Sequence, residues 1–320
     1  MGDTVLVTGA GTGIGLATSL HLAEKGFRVY ASVPDPDQRE GIESAASERG
    51  VVLSVLPLDV TDPRSIESAV RTVLAETGGI YGLVNNAGLG LRGFFEDLSA
   101  EEIRSLFDVN VFGAMAVTRS VLPHMRAARR GRIVLISSAG GRNGAMTLSA
   151  YCAGKFALEG FGESLAIEVA ALGLKVSLIE PGLVMTPHFT VHRGRARRAT
   201  DPESPYYRWF AQHEQLVDNM LRARHITPDD VARAVGRSLS DRSPRLRYVV
   251  GWRAKLLLGL HRYLPGELFE RLYFPQVVRM VTRPRKPATG LAATLGLESQ
   301  PSGTGNPRAQ SPGSEATRHV

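Results

Sequence analysis

Thr4-Val5-Leu6-Val7-Thr8-Gly9-Ala10-Gly11-Thr12-Gly13-Ile14-Gly15 combines a short apolar run, a glycine-rich turn and the start of a helical pattern that reaches Lys25. The apolar run reads as a buried strand and the pattern from Ile14 as a helix packed upon it. Glycines in such a turn let backbone N–H groups approach a pyrophosphate. The N-terminus of the following helix adds the positive end of its dipole. A glycine loop alone is a weak signal; its place between a strand and a helix makes it informative.

The same alternation continues downstream. Phe27 to Val33, Val51 to Leu58, Ile80 to Val84, Arg132 to Ser137 and Lys175 to Glu180 read as strands. Helical patterns lie between them, over about Arg39 to Arg49, from Pro63, after Ser99 and over Ala150 to Leu172. Thr61 or Asp62 can cap the helix that begins at Pro63. Ser99 with Glu102 is a capping box. This order predicts an α/β fold, a doubly wound parallel sheet of Rossmann-like type, with a ligand crevice at the carboxyl ends of the strands. Residues 1–190 are read as the dinucleotide-binding core, and the motifs described below add the expectation that it is also the catalytic core. From Pro187 to about Thr227 the pattern weakens and Arg193, Arg195, Arg197 and Arg198 cluster, which reads as a substrate lid. A helix is expected from Pro228 to Ser238, a last strand over Arg247 to Val250, and an amphipathic helical stretch over Trp252 to Phe274, interrupted near Pro265. Residues 191–282 are therefore the lid and C-terminal extension of the same domain. Residues 283–320, dominated by proline, glycine and serine, read as a flexible tail.

The chain has 320 residues, 43% hydrophobic and 22% charged, which excludes a wholly disordered, collagenous or disulfide-built protein. Cys152 is the single cysteine, so an internal disulfide and a cysteine-rich metal site are excluded. His124, His188 and His192 show no metal-ligand spacing, and no metal is predicted. No apolar run of membrane-spanning length and no signal-peptide pattern is found, so the expected location is cytoplasmic, with membrane association left open. The net charge of +7 is uneven. Residues 1–187 hold 16 Lys and Arg against 20 Asp and Glu; residues 188–320 hold 22 against 11. Such a basic half fits a membrane surface, a nucleic acid, an acidic ligand or a solvated face. Arg193 to Arg198 lack aromatic interleaving and no nucleic-acid-binding module is recognisable, so nucleic acid is not an expected partner.

The wider motif set carries a resemblance. Thr8 to Gly15 is spaced Thr-Gly-x-x-x-Gly-x-Gly, and Asn85-Asn86-Ala87-Gly88 follows the fourth strand. Asn110, Ser138, Tyr151 and Lys155 come next in order, then Pro181-Gly182 with Thr186. On these residues the chain resembles the short-chain dehydrogenase/reductase family, over about residues 3–190 and more weakly to about 280. The resemblance implies a nicotinamide cofactor held by Thr8, Gly9, Gly11, Thr12, Gly13, Ile14, Gly15, Asp59, Val60, Asn86, Ala87, Gly88, Tyr151, Lys155, Pro181, Gly182, Val184 and Thr186. It implies Asn110, Ser138, Tyr151 and Lys155 as the catalytic set. In Ala31-Ser32-Val33-Pro34-Asp35, Val33 replaces the acid of NAD-preferring relatives and Pro34 the common arginine of NADP-preferring ones. Asp35 either turns toward the ribose or caps a turn. Arg28 and Arg39 either reach a phosphate or are solvated. Loss of the acid removes repulsion against a 2′-phosphate, so the cofactor is NADP or NAD with a lean to NADP.

Tyr151 and Lys155 lie four apart on one predicted helix and share a face. A free phenol has a pKa of about 10. The Lys155 ammonium, with an oxidised nicotinamide ring, is expected to lower it toward the working range. Tyr151 then gives a proton to the carbonyl oxygen in reduction and takes the alcohol proton in oxidation. Ser138 is expected to hold the same oxygen. By resemblance, Asn110 holds a water that links Lys155 to solvent. Gly154 stands where many relatives carry serine, and Cys152 reads as a small packed residue.

Ser138, Met146, Leu148, Tyr151, Met185, His188 and Phe189 are the expected substrate contacts, with Leu183 beside them. This apolar set, with His188 as its polar anchor, suits a lipophilic alcohol or ketone such as a steroid or retinoid. Phe27 to Ser32, Tyr151 to Gly160 and the C-terminal extension are similar to the 17β-hydroxysteroid and retinol dehydrogenase branch. The extension around Trp252 to Leu258 either rests on a membrane surface or packs on its own domain. Ala157, Phe161, Leu165 and Val169 form an apolar stripe that fits a subunit interface or the core. The resemblance implies a homodimer or tetramer. The alternatives are a 3-oxoacyl-thioester reductase and a non-catalytic NAD(P)-binding sensor; the intact tetrad argues against the sensor.

Overall fold

The computed structural model describes residues 2–185, 194–223 and 226–282. The predicted tail, part of the lid, and Thr186, His188 and Phe189 lie outside the described residues. Among the described residues seven parallel strands form one sheet in the order β3-β2-β1-β4-β5-β6-β7. They are β1 (Thr4–Val7), β2 (Arg28–Val33), β3 (Ser54–Pro57), β4 (Gly82–Asn85), β5 (Gly131–Ile136), β6 (Leu174–Pro181) and β7 (Arg247–Val250). Helices α1 (Gly13–Glu24), α2 (Arg39–Glu48), α3 (Pro63–Thr77), α4 (Ala100–Phe107), α5 (Ala114–Ala128) and α6 (Ser149–Val169) fall between the first six strands. Helices α7 (Tyr207–Ala223) and α8 (Pro228–Ser240) precede β7, and α9 (Trp252–Tyr263) and α10 (Gly266–Thr282) follow it.

Every residue of β1 is buried, as a parallel strand covered on both faces requires. On one face Leu22, Ile42, Val231 and Val235 of α1, α2 and α8 pack on the sheet. On the other, Val70, Val121, Leu158 and Leu165 of α3, α5 and α6 do so. The helix starts follow local chemistry. Asp62 accepts a hydrogen bond from Arg64 N at 2.9 Å ahead of Pro63, and Ser99 with Glu102 closes a capping box. Thr227 and Asp230 form a second box ahead of Pro228. The chain runs β1 to β3 toward one edge, then crosses back to place β4 beside β1. The C-terminal ends of β1 and β4 therefore flank the point where the winding reverses, where a crevice opens.

One expectation needs correction, one boundary moves and one alternative is decided. The stretch of weakened pattern contains α7, seventeen residues long. Its inward seam is Phe210, Glu214, Val217 and Leu221, all buried, and the carboxylate at the second position breaks the apolar period. The C-terminal stretch is two helices, and the second continues through Pro275 to Thr282. The stripe on α6 faces the sheet: Leu165 and Val169 are core residues and Phe161 packs against them.

Arg247 binds β7 to the rest of the sheet. Its Nε lies 3.1 Å from Glu159 Oε2 and 3.2 Å from Glu180 Oε1, and its second amino nitrogen donates to Glu163 at 2.7 Å. Glu180 is wholly buried and also meets Arg142 at 3.3 Å. Burial, and then the nearby Glu159 charge, raise the Glu180 carboxyl above its usual range. Removing one partner of a buried ion pair strands the other charge. Arg247→Met is expected to cost about 3 kcal/mol in urea denaturation. Glu163→Gln, at an exposed carboxylate, is expected to cost much less. An Arg247→Met loss as small as that of Glu163→Gln would show that the buried carboxylates are balanced by other groups.

Candidate active site

The loops after β1 and β4 are joined by side chains. Thr8 Oγ1 accepts from Asn86 N at 3.0 Å and from Ala87 N at 3.1 Å. Asn86 Nδ2 donates to Thr8 O at 3.0 Å and Gly9 O at 2.8 Å. Thr8 is thus an internal tie and not a cleft-wall residue. The cleft beside these loops measures about 1160 Å³ and is lined by Gly9, Gly11, Thr12, Gly13, Ile14 and Gly15. Asp59, Val60, Asn86, Ala87, Gly88, Pro181, Gly182 and Val184 also line it.

The residues at this end fit a dinucleotide. Gly9 and Gly13 have φ of 64° and 58°, the left-handed region open to glycine. A Cβ on Gly9 would come 2.7 Å from Ala87 Cα. Thr12 makes no side-chain cap to α1, and the first turn of α1 holds no acidic residue. The open helix N-terminus therefore offers N–H groups to an anion. Asp35 takes the capping alternative, accepting from Asp37 N at 3.0 Å. Arg28 pairs with Glu76 at 3.5 Å, and Arg39 donates to Val55 O at 2.7 Å and pairs with Glu43 at 3.3 Å. Pro34 lines the cleft, as does Gln38, which sequence reasoning passed over and which lies beside Gly11.

Helix α6 supplies Tyr151 and Lys155. Lys155 is buried and its Nζ donates to Ile136 O at 2.8 Å, 5.8 Å from the centre of the Tyr151 ring. Burial pushes the Lys155 ammonium down to about 8, against the raising effect of Glu159 one turn away. Burial pushes the Tyr151 phenol up to about 12; its hydrogen bond with Ser138 and the charge of Arg92 pull the other way. The expected lowering of the phenol is therefore not observed. Lys155 is turned to a backbone carbonyl, and desolvation outweighs the positive charge of Arg92. Ser138 Oγ also accepts from Gly140 N at 3.0 Å.

Asn110 lies in a π-helical turn, Asp108–Gly113, between α4 and α5. Its amide accepts from Leu89 N at 2.6 Å and donates to Leu89 O at 2.9 Å, so it fixes the loop after β4 and does not line the cleft. Met146 and Leu148 line the substrate end. Met185 does not; its N–H donates to Ile226 O at 2.9 Å.

The remaining wall comes from residues that sequence reasoning missed. Helix α7 contributes His213, Val217 and Met220, and Trp252, Leu257 and Tyr273 come from α9 and α10. Arg92 and Asn143 add polar surface. Arg92 is buried and pairs at 2.8 Å with Glu214, which also meets Arg195 at 2.9 Å. Thr147, buried, has φ of 63°, a conformation that costs a β-branched residue about 1–3 kcal/mol. Gly93 N donates to Thr147 O at 2.9 Å, and Thr147 Oγ1 lies 3.2 Å from His213 Nδ1. The one available signal was the spacing of Phe210, Val217 and Leu221, which places His213 beside the inward seam of α7.

A glycine-rich loop at the reversal of a parallel sheet, next to a half-buried Tyr and a buried Lys on one helix, defines an oxidoreductase of the dinucleotide-binding α/β class. The short chain dehydrogenase family profile matches residues 3–195, and the chain belongs to this family. Retinol dehydrogenase 5 of Homo sapiens is 35% identical over 280 residues, 83% of this chain and 86% of that protein. A short-chain dehydrogenase from Streptomyces avermitilis superposes with a TM-score of 0.71 at 32% identity, covering 87% of this chain and 98% of that one. A metagenomic short-chain oxidoreductase, solved in complex with NADP, gives 0.61 at 28% identity, covering 78% and 96%. The chain resembles the retinol dehydrogenase branch of its family.

His213 gives the site a measurable pH signature. Burial, helped by the Arg92 charge, lowers its pKa from 6.5 to about 4. Between these values the unfolded chain binds a proton that the folded chain refuses, so stability falls as pH falls through that window. Thermal unfolding from pH 7 to pH 4 is expected to show a steeper loss in the native chain than in His213→Gln. Equal slopes would place the acid sensitivity elsewhere.

Proposed function

We propose that the protein interconverts an alcohol and a carbonyl on a lipophilic substrate by hydride transfer, with Tyr151 as general acid and base. The observation that carries this reading is Tyr151 itself, half-buried in the cleft wall with Ser138 and Lys155. A phenol held near 12 stays protonated at neutral pH, which suits donation to a carbonyl oxygen. Ser138 orients that oxygen, and Lys155 keeps a positive charge beside the ring until the pH rises through about 8. Asn110 positions the loop after β4. The nicotinamide cofactor supplies or accepts the hydride when bound. Gly9 to Gly15 would hold its pyrophosphate, Asp59 and Val60 its adenine, and Pro181, Gly182 and Val184 its nicotinamide end. We favour NADP over NAD, because Val33 and the capped Asp35 put no free carboxylate at the end of β2. The apolar wall of Met146, Leu148, Val217, Met220 and Leu257 favours a lipophilic substrate over the acyl-thioester alternative.

The same reading places the protein in the cytoplasm, as a homodimer or tetramer with exposed Phe112 and Phe156 at its contacts. No helix among the described residues is long and apolar enough to cross a membrane. Contact with an anionic membrane surface fits α9, where Trp252, Leu256, Leu260 and Tyr263 are exposed on one face and Arg253, Lys255 and Arg262 flank it. Flotation with anionic vesicles is expected for the native chain and not for Leu256→Ser with Leu260→Ser. Equal flotation of both would remove this surface from consideration.

The reaction is tested with Tyr151→Phe, assayed for NADPH and NADH oxidation against steroid ketones and retinal. Cofactor binding by fluorescence titration is expected to stay unchanged while turnover falls about 100-fold or more. Turnover equal to the native enzyme would overturn the assignment.

A further inference from the structure

We propose that His213 is a specificity-determining residue that binds a second, uncharged oxygen of the substrate, remote from the reacting carbon. The proposal rests on the reading of the cleft as a lipophilic alcohol or ketone site. It adds a constraint on which lipophilic molecules the site takes.

The observations concern one ring and its support. His213 lines the cleft among apolar neighbours from its own helix, Val217 and Met220. Thr147 holds Nδ1 of the ring, and Nε2 makes no hydrogen bond among the described residues. A half-buried imidazole with one nitrogen fixed and the other unpartnered is a directional group awaiting an oxygen. The support is itself strained. Thr147 keeps a left-handed φ while its carbonyl accepts from Gly93 and its hydroxyl meets the ring. Backbone in that region persists only where its surroundings fix it, and such positions concentrate at ligand-binding sites. The Gly93–Thr147–His213 contacts therefore fix the ring orientation before any substrate arrives.

The class of oxygen follows from the neighbouring charges. Arg92 lies in the same wall, but Glu214 holds it at 2.8 Å in a buried pair, so a substrate carboxylate would have to displace a protein carboxylate. The imidazole is uncharged at neutral pH because burial and Arg92 both disfavour its protonation. Tyr273 and Asn143, also in the wall, are uncharged as well. The fitting ligand is a hydroxyl or keto oxygen on an otherwise apolar skeleton.

Two substrate pairs test this: 3β-hydroxyandrostan-17-one against androstan-17-one, and 10-hydroxydecan-2-one against decan-2-one. Reduction rates are measured, and binding of each compound is followed by calorimetry. The native enzyme is expected to prefer the hydroxylated member of a pair about 10-fold or more in kcat/KM, with the difference in KM. His213→Leu is expected to bring the ratio within about 3-fold, and His213→Gln, which keeps a hydrogen-bonding group, to restore part of it. A packing role alone would lower both members equally and leave the ratio unchanged. No preference in the native enzyme, a preference that survives His213→Leu, or binding of neither pair overturns the proposal. A preference in binding without turnover of either member would instead count against the proposed reaction and leave the anchor standing. Circular dichroism of each variant separates misfolding from lost recognition, and His213→Gln serves if the leucine variant does not fold.

Discussion

The hydroxyl of Thr8 is the tie on which the site depends. It takes two backbone N–H groups from the loop after β4 while standing at the end of β1, so two strands adjacent in space but far apart in sequence end in one unit. Buried N–H groups without an acceptor are costly, so this one side chain fixes where the second loop can sit. From there the order passes outward. Asn86 returns bonds to the glycine loop, Leu89 is held by Asn110, and Asn110 belongs to the turn between α4 and α5. The cofactor end and the substrate end of the cleft are thus set by one continuous series of polar contacts.

Around that series, burial decides the electrostatics. The positive charge of Arg92 does not bring the Tyr151 phenol down, because removing it from water has the larger effect. The same desolvation lowers Lys155, and Glu159 opposes it from the next turn of α6. Glu159 is itself tied through Arg247 to β7. The charge beside the Tyr151 phenol is therefore coupled to the last strand of the sheet. Edge-strand packing and active-site chemistry share one ion network.

Local chemistry made the core readable from sequence. The glycine loop, the capping box at Ser99, the proline at the start of α3 and the four-residue step from Tyr151 to Lys155 each carry a short-range physical meaning. What stayed hidden depends on long-range placement. Helix α7 was obscured because Glu214 occupies a core-facing position, and that carboxylate is paired with Arg195 and with Arg92, the latter 122 residues away in sequence. His213 and Thr147 carry no motif, since a left-handed threonine looks like any other in the chain. The choice at Asp35 between a ribose contact and a turn cap needed the backbone, and the backbone gave the cap. The direction of the Tyr151 shift needed a measure of burial against charge, which spacing does not contain.

The π-helical turn at Asp108–Gly113 has a further consequence. Each hydrogen bond in such a turn spans one residue more than in an α-helix. An α-helix advances about 100° per residue. Helix α5 is therefore phased against α4 by one extra step, and a periodicity counted across the junction points the wrong side chains inward. Deleting Asp108 or Val109, ahead of the amide, would restore regular winding and rotate Asn110 out of reach of Leu89. Chain length at this joint, as much as residue identity, is what aims the amide.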